Sequence, residues 1–136
     1  DLFNRGVQDV IVANQSGPAL IYRNRLISQG NWIRLVLEGT VSNRSAIGAE
    51  VTVEWPGGRL RKIVDGGMGF ASQNDRRLHF GLGDAEVVDR VTIRWPAGGI
   101  QTLEGLEAGR EHRILEPEWG TDASAELSSG VGGSGW

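Results

Sequence analysis

"VTVEWPGGRLRKI" (51–63) and "VTIRWPAGGIQTL" (91–103) carry one pattern twice. Val51, Val53 and Trp55 alternate with Thr52 and Glu54. Val91, Ile93 and Trp95 alternate with Thr92 and Arg94. A period of two places each apolar set on one face of a strand. Pro56-Gly57-Gly58 and Pro96-Ala97-Gly98-Gly99 follow directly. Proline pre-sets φ for the first turn position and glycine accepts positive φ, so each turn should reverse the chain into a hairpin. Trp55 and Trp95 end their strands on the apolar face. They either close the ends of a core or form a paired platform for a sugar.

The same alternation extends outward. Ile33, Leu35 and Leu37 interleave with Arg34, Val36 and Glu38. Further strands are expected at 9–14, 19–23, 60–64, 77–80, 100–103 and 111–115. Turn residues part them at intervals of about 8–12 residues, the signature of a sandwich or barrel. Helical periodicity is scarce. Only "EGLEAG" (104–109) allows a helical turn. The fold class is therefore all-β, a small antiparallel sandwich.

The 136 residues suit one domain with appendages, burying roughly 65–70% of the unfolded surface. The chain has no cysteine, which excludes a disulfide framework and thiol chemistry. The net charge of -3 resides in the tail, where Glu118, Asp122 and Glu126 face no Lys or Arg, leaving 14 acidic against 14 basic residues in 1–116. No basic footprint points to nucleic acid. No apolar run approaches the ~20 residues of a membrane-inserting span. Lys62 is the only lysine. The chain starts at Asp1, not at a methionine, and reads as a processed or cut product.

Catalytic patterns are weak. Ser72, His79 and Asp84 can be drawn as a triad, but a triad is recognised by geometry, which spacing does not fix. His79 should point away from Leu78 and Phe80. "GGMGF" and "GLGDAEVV" complete no phosphate-binding motif, and their glycines are assigned to loops. In "SNRSAIGAEV" (42–51), Ser42 and Asn43 can bond local backbone. Arg44 can pair with a carboxylate or cover a neighbouring loop, in a strand-entry loop pinned by hydrogen bonds; the functional reading is an exposed recognition loop.

"SNRSAIGA" (42–49), "GMGFASQ" (67–73), "LHFGLG" (78–83) and "WPAGG" (95–99) together resemble the ASPIC/UnbV domain. The resemblance implies a transthyretin/Ig-like sandwich, without catalysis, in extracellular proteins of cell-surface, matrix or adhesion type that carry FG-GAP/VCBS propeller repeats upstream. The opening residues resemble the end of such a repeat. "DLFNRGVQD" stands where a D-x-D-x-D-G-x-x-D calcium loop would, then "VIVANQ", "SGPA" and "LIYRN". Phe3 and Arg5 depart from the pattern. Asp1, Asn4 and Asp9 alone make a poor cage for an ion that takes six to eight oxygens, so no cofactor is expected. Arg5 is expected to bridge Asp1 and Asp9 in its place.

Three segments follow: a degenerate repeat hairpin at 1–29, the sandwich at 30–116 and a Gly/Ser-rich acidic tail at 117–136. The tail reads alone as a linker. Trp119, Leu127, Val131 and Trp136 are its anchors if it docks on a partner. A lone repeat hairpin cannot bury its own faces, and open strand edges are pairing templates. The expected function is a non-catalytic extracellular interaction or structural module. It acts through strand pairing and surface contacts, with copies of itself in a filament or homopolymer. The alternative is a carbohydrate- or ligand-binding adhesion module of a larger cell-surface protein, using Trp55, Trp95 and the Arg-rich loops.

Overall fold

A computed structural model describes residues 1–26 and 30–119. Every strand expected from alternation is present: β1 (Val10–Val12), β2 (Leu20–Tyr22), β3 (Asn31–Glu38), β4 (Glu50–Trp55), β5 (Gly58–Ile63), β6 (Leu78–Gly83), β7 (Val87–Arg94), β8 (Ile100–Glu107) and β9 (Arg110–Leu115). They form a four-stranded sheet in the order β5-β4-β7-β8, a three-stranded sheet β6-β3-β9 and a separate two-stranded sheet β1-β2. The fold is an all-β sandwich. One pair departs from the antiparallel expectation: β9 runs parallel to β3, from Ile33↔Arg110 to Glu38↔Leu115.

The core lies between the two larger sheets. Ile33, Leu35, Leu78 and Phe80 come from one side; Val51, Val53, Val91, Ile93 and Trp95 come from the other. Both proline turns form. Trp55 pairs with Gly58 around Pro56-Gly57. At the second turn Gly98 N donates to Trp95 O at 2.9 Å and Trp95 N to Gly99 O at 2.8 Å. Gly57 and Gly98 share a φ of 105°, the left-handed step each turn needs.

Four local expectations are corrected. Residues 104–107 continue β8 and make no helical turn. Val88 and Val91 are three apart yet both buried, so alternation is broken within the ladder. Gly105, at φ 69°, supplies that break in the opposing strand, between the pairs Val88↔Leu106 and Arg90↔Glu104. Gly81 and Gly83 belong to β6 and not to a loop. Arg34, on the expected solvent face of β3, is 4% exposed, because the opening residues of the chain lie against that face.

Candidate functional site

The opening segment is built on carboxylates at both ends. Asp1 Oδ1 accepts from Arg5 N at 2.8 Å and Asp1 Oδ2 from Gly6 N at 2.7 Å. Asp9 Oδ2 accepts from Leu2 N at 3.0 Å, and Asp9 Oδ1 from Asn24 N at 2.9 Å. The Asn24 amide does most to hold the Asp9 carboxyl below its ordinary value, aided by Leu2 and Arg5 against the opposing effect of burial. Arg5 reaches Asp9 at 3.0 Å and donates to Asn24 O at 3.1 Å. Its guanidinium does not reach Asp1, as the bridging expectation required. Asp1 instead takes the guanidinium of Arg34, from the sandwich. Asn4 Oδ1 accepts from the same guanidinium at 3.4 Å.

The seat of this loop is the outer face of β3 and β6. Trp32 stacks on His79 with centroids 5.5 Å apart, and Arg34 lies 5.1 Å from the Trp32 ring centre. Gly6 sits so close that a Cβ there would fall 1.9 Å from Trp32 Nε1. Only glycine permits that approach. His79 is pushed down to about 4, first by burial and then by the Arg34 and Lys62 charges, and its Nδ1 has no partner. It is neutral at neutral pH. No hydrogen bond joins Ser72, His79 and Asp84 among the described residues; Ser72 Oγ donates to Met68 O instead.

A groove of ≈ 580 Å³ separates the loop from residues 65–78. Its charges are already engaged. Asp75 accepts from Arg77 Nε at 2.8 Å, Asp65 from Gly67 N at 3.0 Å, and Lys62 donates to His79 O. Burial lowers the Lys62 ammonium from its ordinary value.

Beyond the loop, β1 and β2 stand apart. Val10, Ile11, Val12, Leu20, Ile21 and Tyr22 are all between 38% and 62% exposed. The hairpin has apolar side chains on both faces, and among the described residues no layer covers either. Across a second groove of ≈ 410 Å³, Ile11 faces Gln73 and Asn74. The loop before them displays Met68 and a fully exposed Phe70.

The other sequence candidates are dispersed. Trp95 is 1% exposed, and its Nε1 donates to Gln101 at 3.0 Å. With its ring in the core it offers no face to a ligand. Trp55 is partly buried against the same core. Arg44 is exposed and pairs with Glu38 at 3.2 Å. The surrounding loop is pinned locally: Asn43 Nδ2 donates to Ile47 O and Asn43 Oδ1 accepts from Ile47 N, each at 2.9 Å. Trp119 covers the Gly99 turn and packs on the core. Leu127, Val131 and Trp136 lie outside the described residues.

Glu116 escaped the sequence reading. It is 1% exposed. Its Oε2 accepts from the backbone of Thr40, Val41 and Ser42 at 3.0, 3.0 and 2.7 Å, and its Oε1 from Ser42 Oγ at 2.8 Å. Burial raises its pKa, but these bonds outweigh that and hold the carboxyl below its ordinary value. It ties the end of β9 to the turn after β3. Trp119 Nε1 adds a bond at 3.4 Å, but the four donors of the turn lie 74–76 residues away, so no local pattern announces them.

A family model described as ASPIC and UnbV matches residues 39–120, more than half of the chain. Cartilage acidic protein 1 of Xenopus tropicalis is 31% identical over 121 residues, spanning 85% of this chain and 18% of that protein. The Homo sapiens protein of the same name is 30% identical over 121 residues, with the same two shares. That of Mus musculus is 32% identical over 125 residues, spanning 87% of this chain and 19% of its own length. The chain thus corresponds to about a fifth of the length of the curated relatives it matches. The chain belongs to the ASPIC and UnbV family.

Proposed function

We propose that the chain is a non-catalytic extracellular interaction module whose contact element is the N-terminal hairpin. The hairpin is a degenerate FG-GAP/VCBS-type repeat hairpin that completes a larger β-sheet by strand pairing. Copies of the chain are its partners where it assembles into a filament or homopolymer. The observation that carries this reading is β1-β2 itself, apolar at all six paired positions and exposed at each. A two-stranded hairpin is marginal in water without a packed face. An unpaired edge recruits further strands.

Supporting the non-catalytic reading, the charged groups of the groove bond one another and backbone, and His79 is stacked on Trp32. Relatives named for cartilage agree with an extracellular setting. A protein partner is favoured over carbohydrate because burial of Trp95 removes one half of the paired tryptophan platform.

Sedimentation velocity over a concentration series, with negative-stain microscopy, tests the reading. Association that grows with concentration and disappears in the Ile11→Lys, Ile21→Lys double variant is expected. A wild-type chain that stays monomeric throughout overturns self-assembly.

A further inference from the structure

The opening loop has the acidic ends and glycine of a calcium loop, so the fit of a calcium ion can be tested on its geometry. It fails. All four carboxylate oxygens of Asp1 and Asp9 already accept N–H donors. The side chains are sealed, with Asp1 2% and Asp9 0% exposed. Calcium takes six to eight oxygens; here guanidinium nitrogens stand beside both carboxylates. Phe3 supplies no oxygen, and its ring lies 5.4 Å from the Arg5 guanidinium and 4.9 Å from that of Arg23.

We infer that two arginines do the work of the missing cation, and that they lock the hairpin to the sandwich without metal. Each loop carboxylate has its own guanidinium: Asp9 that of Arg5 and Asp1 that of Arg34. The two arginines divide the task. Arg5 closes the base of the hairpin, because Asp9 precedes β1, Asn24 follows β2, and Arg5 bonds both. Arg34 fastens the loop to the sandwich. It rises from the middle of β3, bonds Asp1 and Asn4, and lies 3.7 Å from Glu111 on β9. A guanidinium planted in the sheet fixes the loop relative to the sandwich, and its planar fork holds direction as well as distance. The contact of Gly6 with Trp32 completes the seat. This junction presents the hairpin in one orientation whether or not it pairs with a partner, so the inference stands independently of self-assembly.

Amide hydrogen exchange on the 136-residue chain tests it. Calcium at about 10 mM exceeds the ~10⁻⁴–10⁻³ M dissociation constants of extracellular calcium modules. It should leave the exchange of the Gly6 and Asn24 amides as it is in chelator. Arg34→Gln should speed exchange at Gly6 by about tenfold while the β4 and β7 amides keep their protection. If Arg34→Gln disrupts the sandwich, Arg5→Gln carries the test through the Asn24 amide, because Arg5 lies outside the sandwich. Saturable calcium binding that protects Gly6 or Asn24 in the wild type overturns the inference. So does unchanged exchange at Gly6 in a folded Arg34→Gln, or at Asn24 in Arg5→Gln.

Discussion

Three hairpins in this chain make a controlled comparison. β4-β5 and β7-β8 lie in one sheet of the sandwich; β1-β2 stands apart. Glycine and proline lie in the connections of all three. Their strands differ. In β4, and in β7 from Val91 onward, apolar residues alternate with Thr, Glu and Arg, so one face enters the core and the other carries charge. Cross-strand pairs such as Arg61–Glu50 and Arg90–Glu104 occupy that outer face. β1 reads Val-Ile-Val and β2 Leu-Ile-Tyr, with no polar position on either side. Strands that are apolar throughout are ordinarily buried on both faces. The difference teaches that turn chemistry makes a hairpin, while strand patterning states how many layers must cover it. Two hairpins are satisfied within the sandwich; the third is not covered among the described residues.

The largest effect expected separates these regions by core truncation. Phe80→Ala should cost about 4 kcal/mol in chemical denaturation. Ile21→Ala, at a position 62% exposed, should cost under about 0.5 kcal/mol in dilute solution. Equal losses would break the comparison, because the hairpin would then be covered within the single chain.

Glu116→Ala comes next, at about 2 kcal/mol, because three backbone donors and the Ser42 hydroxyl lose one buried acceptor together. Faster amide exchange at Thr40–Ser42 with an unchanged hairpin would sharpen the division between sandwich and appendage.

The pH profile gives a smaller effect with a fixed sign. His79 has a folded value of about 4 against an ordinary 6.5. The unfolded chain therefore takes up a proton that the folded chain refuses. Stability should fall as pH drops from 6.5 toward 4. Glu116 is shifted below its ordinary 4.5, so its contribution is present above that value and is lost as pH falls further, through the folded value. Thermal melts of His79→Phe should lose the upper slope and keep the lower one. An upper slope retained in that variant would assign it to another group.

The smallest effect is at Arg44. Its side chain is 88% exposed and its partner Glu38 half-exposed. Arg44→Ala should change the melting temperature by no more than about 0.5 kcal/mol implies. A larger loss would make this residue part of the strand-entry loop's support.

The sandwich was legible because alternation is a local signal: Val51, Val53, Val91 and Ile93 announce their face within five residues. Both proline turns were legible for the same reason. The seat of the opening loop was not. Alternation assigns Arg34 to solvent, and only a segment 33 residues away makes that side buried. Glu116 lies at the expected edge of the sandwich, beside a proline, and its partners come from the far end of β3. The acidic ends of the opening loop were visible in the sequence. The source of their second cation, in the sandwich, was a tertiary fact.

The central claim is that β1-β2 is a contact element awaiting strands, carried on a self-contained sandwich. Hydrogen exchange of the β1 and β2 amides, measured across a concentration series with β4 and β7 as internal reference, tests it most directly. The account predicts that the hairpin amides gain protection as concentration rises, that the reference amides do not change, and that Ile11→Lys with Ile21→Lys abolishes the gain. Hairpin protection that is already strong in dilute monomer, or that never responds to concentration, would contradict it.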